Sequence, residues 1–217
     1  MNLHLHYWPG ACSFVPHVML ERIKESCGQD YAASIINLAN GDQFKPEYKS
    51  INPRGQVPVL TVDDKVITQI IAIINYLNEI FPKAKLLPTE PFDKAMALST
   101  LAWMNNTVHP TFTRIFRSER FADESSKASV KAVALETFKG YLSEIEQLCS
   151  KSQNYICGSQ LTPADIYALA FIRWAGNVGI NPNAYPHYQK YAEKLAEISA
   201  IKQVMSKEGL TLQTFKG

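Results

Sequence analysis

The sequence is poor in paired cysteines, in long apolar runs and in charge of one sign. Its four cysteines, Cys12, Cys27, Cys149 and Cys157, form no Cys-x-x-Cys pair and no dense framework. That excludes a disulfide-stapled scaffold and zinc-type spacing. No stretch of about 18 apolar residues occurs, so no transmembrane helix is expected. Net charge is +2, from 22 basic and 20 acidic residues, with no run of Lys and Arg. Neither a nucleic acid nor a membrane surface is therefore an expected partner. The opening MNLHLHYW lacks the basic start and apolar core of a signal peptide, so the expectation is a cytoplasmic protein with free thiols.

What is present suits a packed protein. Of 217 residues, 46% are hydrophobic and 19% charged, enough for two modest domains. Residues 2–8 alternate Leu3, Leu5 and Tyr7 against His4, His6 and Trp8, which predicts a strand. Pro9-Gly10 signals a turn, and Phe14, Val18, Leu20 and Ile23 then fall near helical spacing. Ser13 stands as a candidate N-cap of a helix over about 13–26. A strand over 31–37, a short helix over 46–51 and a hairpin of 57–62 with 65–68 follow. From Thr68 the apolar residues Ile70, Ile71, Ile73, Ile74, Leu77 and Ile80 predict a helix that stops before Pro82. The order is βαβαββα over 1–81. Residues 82–92, with three prolines, read as a linker, and 93–217 reads as all-helical. Helices are expected near 92–121, 126–151, 162–177, 186–197 and 199–207.

Two local features carry chemistry. Cys12 lies where a strand ends and a helix begins, and the unpaired N–H groups of a helix start favour a thiolate. Gln56-Val57-Pro58 puts a proline at a strand entrance, where an ordinary trans bond and a cis bond are both open. Thr162-Pro163-Ala164-Asp165 has the form of a helix N-terminal cap, a structural rather than chemical signal. Trp174 sits in the apolar helix that follows. His4, His6, Cys12 and His17 offer metal-binding atoms, but strand and helix geometry need not bring them together and their spacing is not a zinc pattern, so no metal is expected.

The blocks PGACSFVPHVML, INPRGQVPVL, AIINYL, VHPTFTRIF and LTPADIYALAFIRWAG, in that order, resemble glutathione S-transferases of the bacterial, cysteine-bearing type. The resemblance implies an α+β fold: a thioredoxin-like domain, then an all-α domain, usually in a homodimer. It implies a cis bond at Pro58 and glutathione as co-substrate, with no metal. The activity implied is conjugation of the glutathione thiolate to small hydrophobic electrophiles, a detoxification chemistry. It places Cys12 and Ser13 at the glutathione sulfur, either as a redox nucleophile or as a polar neighbour. Gln56, Val57 and Pro58 would meet the tripeptide backbone, and Gln69 with Ile70 its γ-glutamyl end. His109, Trp174 and Arg114 are candidates on the electrophile side, although Trp174, inside an apolar helix, reads first as core packing, and Arg114, Arg117 and Arg120 also read as a solvated face.

The chain departs from that family in two places. An acid followed by serine is usual where Gln69-Ile70 stands here. Losing one hydrogen bond to a charged group, worth about 1.5–3 kcal/mol, weakens binding roughly tenfold to a hundredfold. A basic residue follows the histidine in some bacterial relatives, where Pro110 follows His109 here, and a proline inside a helix is expected to kink it. Two alternatives thus stand beside the transferase: a glutathione-dependent monothiol oxidoreductase or peroxidase, and a non-catalytic binding protein of the same fold.

Overall fold

A computed structural model of the chain describes residues 1–212. Two compact units divide it. The first is Met1–Thr89 together with Glu197–Leu210, and the second is built on Glu90–Ala196.

The first unit holds a four-stranded sheet in the order β2-β1-β3-β4. Strand β1 (Leu3–Tyr7) is central and pairs in parallel with β2 (Ala32–Ile35) and antiparallel with β3 (Val59–Val62). Strand β4 (Lys65–Thr68) closes the hairpin, with Leu60 opposite Ile67. β2 is shorter than the expected 31–37 and mostly exposed, as suits an edge strand. Helix α1 (Phe14–Cys27) connects β1 to β2, as a parallel pair requires. Helix α2 (Pro46–Lys49) precedes β3, and α3 (Ile70–Ile80) follows β4. The expected βαβαββα order is present. Ile70, Ile73, Ile74 and Leu77 bury one stripe of α3, and α1 and α3 pack together beside buried Leu3, Leu5 and Leu60.

Two boundaries differ from the sequence expectation. Residues 82–92 are not a loose linker. Pro82–Ala84 makes a 3-10 turn, Leu86 and Leu87 are buried, and the Leu87 N–H donates to Asn78 Oδ1 at 3.0 Å. Helix α4 then begins at Pro91, capped by the Glu90 carboxylate on the Asp93 N–H at 2.8 Å. The last helix also belongs to the first unit rather than to the helical one. Its apolar stripe, Ala200, Ile201 and Val204, is fully buried, and the helix packs along α1. Such a partnership spans most of the chain and leaves no local trace.

In the second unit the helix expected over 92–121 is interrupted. α4 (Pro91–Trp103) passes through a π turn, Met104–Val108, into α5 (His109–Phe116). The His109 N–H donates to Met104 O, one residue beyond the α-helical partner. Pro110 is the cause: it has no N–H and its ring crowds the carbonyl of residue i−4, so the chain widens one turn there. α6 (Lys127–Lys151), α7 (Pro163–Asn177) and α8 (Pro186–Ala196) complete the unit, and α9 (Ser199–Lys207) is the helix of the first unit named above. α7 is buried on every side from Pro163 to Gly176, which makes it the core of this unit. No helix among the described residues is long and apolar enough to cross a membrane.

Candidate functional site

The turn from β1 to α1 carries the first candidates. Trp8 O accepts from the Ala11 N–H at 3.1 Å, and Cys12 follows just before the helix. Its thiol is buried and donates to Val57 O at 3.6 Å. Burial pushes the Cys12 thiol up to about 12, although backbone hydrogen bonds from Cys12 and Ser13 pull it down. The helix start therefore does not yield a thiolate here, because removal from water outweighs two N–H groups. Ser13 also differs from expectation. It holds the N-cap position, yet its hydroxyl makes no cap bond; it donates to Trp8 O and accepts from the Trp8 N–H, both at 3.2 Å. It is fully buried and serves the turn.

Gln56, Val57 and Pro58 form the second part. The Val57-Pro58 peptide bond is cis, as the resemblance implied. The Gln56 carbonyl is held by the Tyr48 hydroxyl and the Asn52 amide, each at 2.8 Å. Gly55, at φ 61°, closes the preceding turn, and a Cβ there would meet Gln43 O at 2.8 Å. The segment is thus anchored on one side. On the other, the half-exposed Val57 N–H makes no hydrogen bond among the described residues, and its carbonyl meets only the weak Cys12 donor. This backbone pair can receive an extended peptide.

Gln69 and Ile70 open α3. Gln69 is exposed and takes φ 72°, ψ 124°, a conformation that non-glycine residues seldom adopt and that functional sites often store. No side chain caps the helix start, so its first N–H groups remain available to an anion. Ile70 is buried and contributes only its backbone.

The helical unit gathers His109 and Trp174, with ring centroids 5.0 Å apart, against Phe112, whose ring stacks on Trp174 at 4.8 Å. The π turn and the first turn of α5 set His109, while α7 supplies Trp174 and also Tyr167, whose hydroxyl lies 2.8 Å from His109 Nδ1. Tyr167 was not singled out in the sequence, yet Tyr167, Phe171 and Trp174 recur at i, i+4 and i+7, a legible stripe. Arg114 is not drawn into this group; it is exposed and lies over Phe121, 5.4 Å from the ring centre. Arg117 lies over Phe116 and near Glu119, in keeping with a solvated face.

Burial pushes the His109 imidazole down to about 4. It is neutral at pH 7, a hydrogen-bonding ring rather than a cation. Its folded value lies below the unfolded 6.5, so the unfolded chain takes up a proton first as pH falls from 6.5 towards 4. Stability present above pH 6.5 is lost across that window, by about 2–3 kcal/mol for this residue. Urea unfolding at pH 7 and pH 4.5 checks this: His109→Gln is expected to shrink the difference between the two pH values by about that amount.

The histidines of the first unit are engaged elsewhere. His4 Nε2 meets Ser34 Oγ at 2.8 Å, His6 Nε2 meets Thr61 Oγ1 at 3.3 Å, and His17 Nδ1 meets Glu208 Oε1 at 2.7 Å. Among the described residues no group of three or more His, Cys, Asp or Glu side chains could hold a metal ion. Cys12, Cys27, Cys149 and Cys157 are all free thiols.

Comparisons with known proteins agree with this arrangement. The family model for the glutathione S-transferase N-terminal domain matches residues 1–79, and that for the C-terminal domain matches residues 103–198. The glutathione S-transferase GstA of Escherichia coli O157:H7 is 33% identical over 96% of this chain and 100% of its own length. A glutathione transferase homologue from Sulfitobacter, solved with bound glutathione, superposes with a TM-score of 0.87 at 27% identity, covering 97% of this chain and 99% of its own. A sphingomonad glutathione S-transferase in complex with glutathione gives a TM-score of 0.80 at 31% identity, covering 97% and 100%.

Proposed function

The chain belongs to the glutathione S-transferase family, as a bacterial-type member, and from that premise we propose that it conjugates the glutathione thiolate to small hydrophobic electrophiles, a detoxification reaction. The observation that carries this reading is the open backbone pair of Val57 beside the Cys12 thiol, 3.6 Å from Val57 O. The cysteinyl residue of glutathione pairs with Val57 as a short added strand, which brings its sulfur to the start of α1. Gln56, held from behind by Tyr48 and Asn52, and Pro58 frame that strand. The γ-glutamyl carboxylate meets the uncapped N–H groups that open α3, and the exposed Gln69 amide accepts from the ammonium. Ile70 gives its N–H alone.

Once the glutathione backbone occupies Val57 O, the un-ionised Cys12 turns its S–H from that carbonyl to the bound thiolate, which then attacks the electrophile. Ser13 shapes the turn rather than donating to sulfur. Phe112 and Trp174 are buried and hold the partly exposed His109 ring from behind, so in this reading His109 is the member of the group that meets the electrophile. A homodimer and a cytoplasmic location complete the reading, the latter supported by four free thiols.

Calorimetric titration of glutathione into the reduced protein tests it. Saturable binding is expected, weakened by the missing serine hydroxyl to about the millimolar range. No heat at several times that concentration overturns the transferase reading and turns attention to the non-catalytic alternative.

A further inference from the structure

The turn that carries Cys12 is held from the far end of the chain. Glu208, just past α9, is buried, and its Oε2 accepts the Gly10 N–H at 2.7 Å. Its Oε1 meets His17 Nδ1, also at 2.7 Å. Gly10 precedes Cys12 by two residues, at φ 73°, and His17 lies in the first turns of α1. One carboxyl group thus bridges the two flanks of the segment that presents Cys12 and Ser13. The His17 ring is itself wedged between Tyr7, the last residue of β1, at 4.7 Å, and Tyr31 at 5.7 Å. An acid removed from water is costly unless its oxygens are paired, so the bridge is a committed one.

A second set of contacts fixes α9 along α1 without touching the turn. Lys207 Nζ reaches Glu21 Oε2 at 2.5 Å and the Tyr31 hydroxyl at 3.2 Å. Ser199 Oγ and Gln203 Nε2 donate to Glu25 Oε1 at 2.6 and 3.0 Å. Burial alone would raise the Glu21 carboxyl, but hydrogen bonds from Lys207 and Tyr31 and the Lys207 and Lys24 charges hold it below its usual range. The helix is therefore anchored independently of Glu208, which leaves Glu208 to act on the turn.

We propose that Glu208 is a positioning residue of the thiol site: by joining Gly10 to His17 it holds the turn so that Cys12 stays buried against Val57 O and faces the glutathione sulfur. The proposal rests on the reading of this turn as the place where that sulfur is held. Its test compares Glu208→Ala, Glu208→Gln and Glu208→Asp with the wild type. The first readout is the rate of Cys12 alkylation by iodoacetamide without glutathione, followed by mass spectrometry of the Cys12 peptide. The second is glutathione KM against kcat.

Glu208→Ala frees the turn, and both the alkylation rate and KM are expected to rise about tenfold while kcat changes less. Glu208→Gln restores both, because its amide oxygen accepts from Gly10 while its NH₂ donates to the other tautomer of His17. A Glu208→Ala protein that is folded, even with a lowered melting temperature, but alkylates at the wild-type rate overturns the proposal. If that variant does not fold, Glu208→Asp decides, since its shorter side chain cannot reach both partners. Wild-type alkylation there overturns the proposal equally. A wild-type protein that binds no glutathione defeats the proposed function instead, and leaves the alkylation comparison readable.

Discussion

Cys12→Ser is expected to keep glutathione transfer within about tenfold of wild type, since the serine hydroxyl still donates to the bound thiolate, while abolishing any mixed disulfide with glutathione. The reason is the state of the thiol. Burial pushes it up to about 12, and its proton points at Val57 O. A group so rarely ionised is a poor attacking thiolate but a serviceable donor, and a serine hydroxyl donates at least as well. Cys12→Ala removes a donor to the charged thiolate and is expected to cost roughly tenfold to a hundredfold. Initial conjugation rates with an aromatic electrophile measure the first effect. Intact mass after incubation with oxidised glutathione measures the second, since exchange adds one glutathionyl group to the protein and releases one glutathione. A glutathionyl adduct persisting in the serine variant would move the reactive thiol to Cys27, Cys149 or Cys157. Loss of all transfer activity in that variant would make Cys12 the nucleophile and favour the oxidoreductase alternative.

Asp165→Ala is expected to destabilise the protein by about 3–5 kcal/mol, far beyond the loss of an exposed cap. Asp165 is fully buried at the start of α7. Its Oδ2 accepts from the Thr162 N–H at 2.7 Å and the Thr162 hydroxyl at 2.9 Å. Its Oδ1 accepts from the Ile156 N–H at 2.9 Å and the Tyr191 hydroxyl at 2.5 Å. Burial raises the carboxyl, and those donors pull against it. Truncation leaves the buried Thr162 and Tyr191 donors and the half-buried Ile156 N–H without this acceptor, around a helix buried on all sides. Denaturant unfolding followed by tryptophan fluorescence measures it, with Trp103 and Trp174 as reporters in the same unit. A loss under about 1 kcal/mol would mean that water or neighbouring groups take over those bonds.

Particular residues show how far the sequence reaches. The alternation of Leu3, Leu5 and Tyr7, the Thr162–Asp165 cap and the isoleucine stripe of α3 were readable because each depends on neighbours a few residues away. The places of Cys12, Val57, Gln69 and His109 in their elements were readable for the same reason. Pro110 announced a distortion, though not that it would be a π turn, because relief of the crowded carbonyl depends on what packs beside it.

The chemistry of the site is a different matter. A helix start argues for an ionised Cys12, but the tertiary structure buries the thiol, and desolvation outweighs two backbone hydrogen bonds. Ser13 fits a cap by pattern, but its hydroxyl is drawn into the turn by Trp8. Glu208 carries no sequence signal at all, since its partners Gly10 and His17 lie about 190 residues earlier, a separation that periodicity cannot read. The sequence by itself determined the order of the strands and helices, because caps, prolines and apolar spacing act over one or two turns. Only the tertiary structure decided which of the site's groups are charged, which are occupied and which end of the chain holds them, because hydration and long-range contact are set by packing.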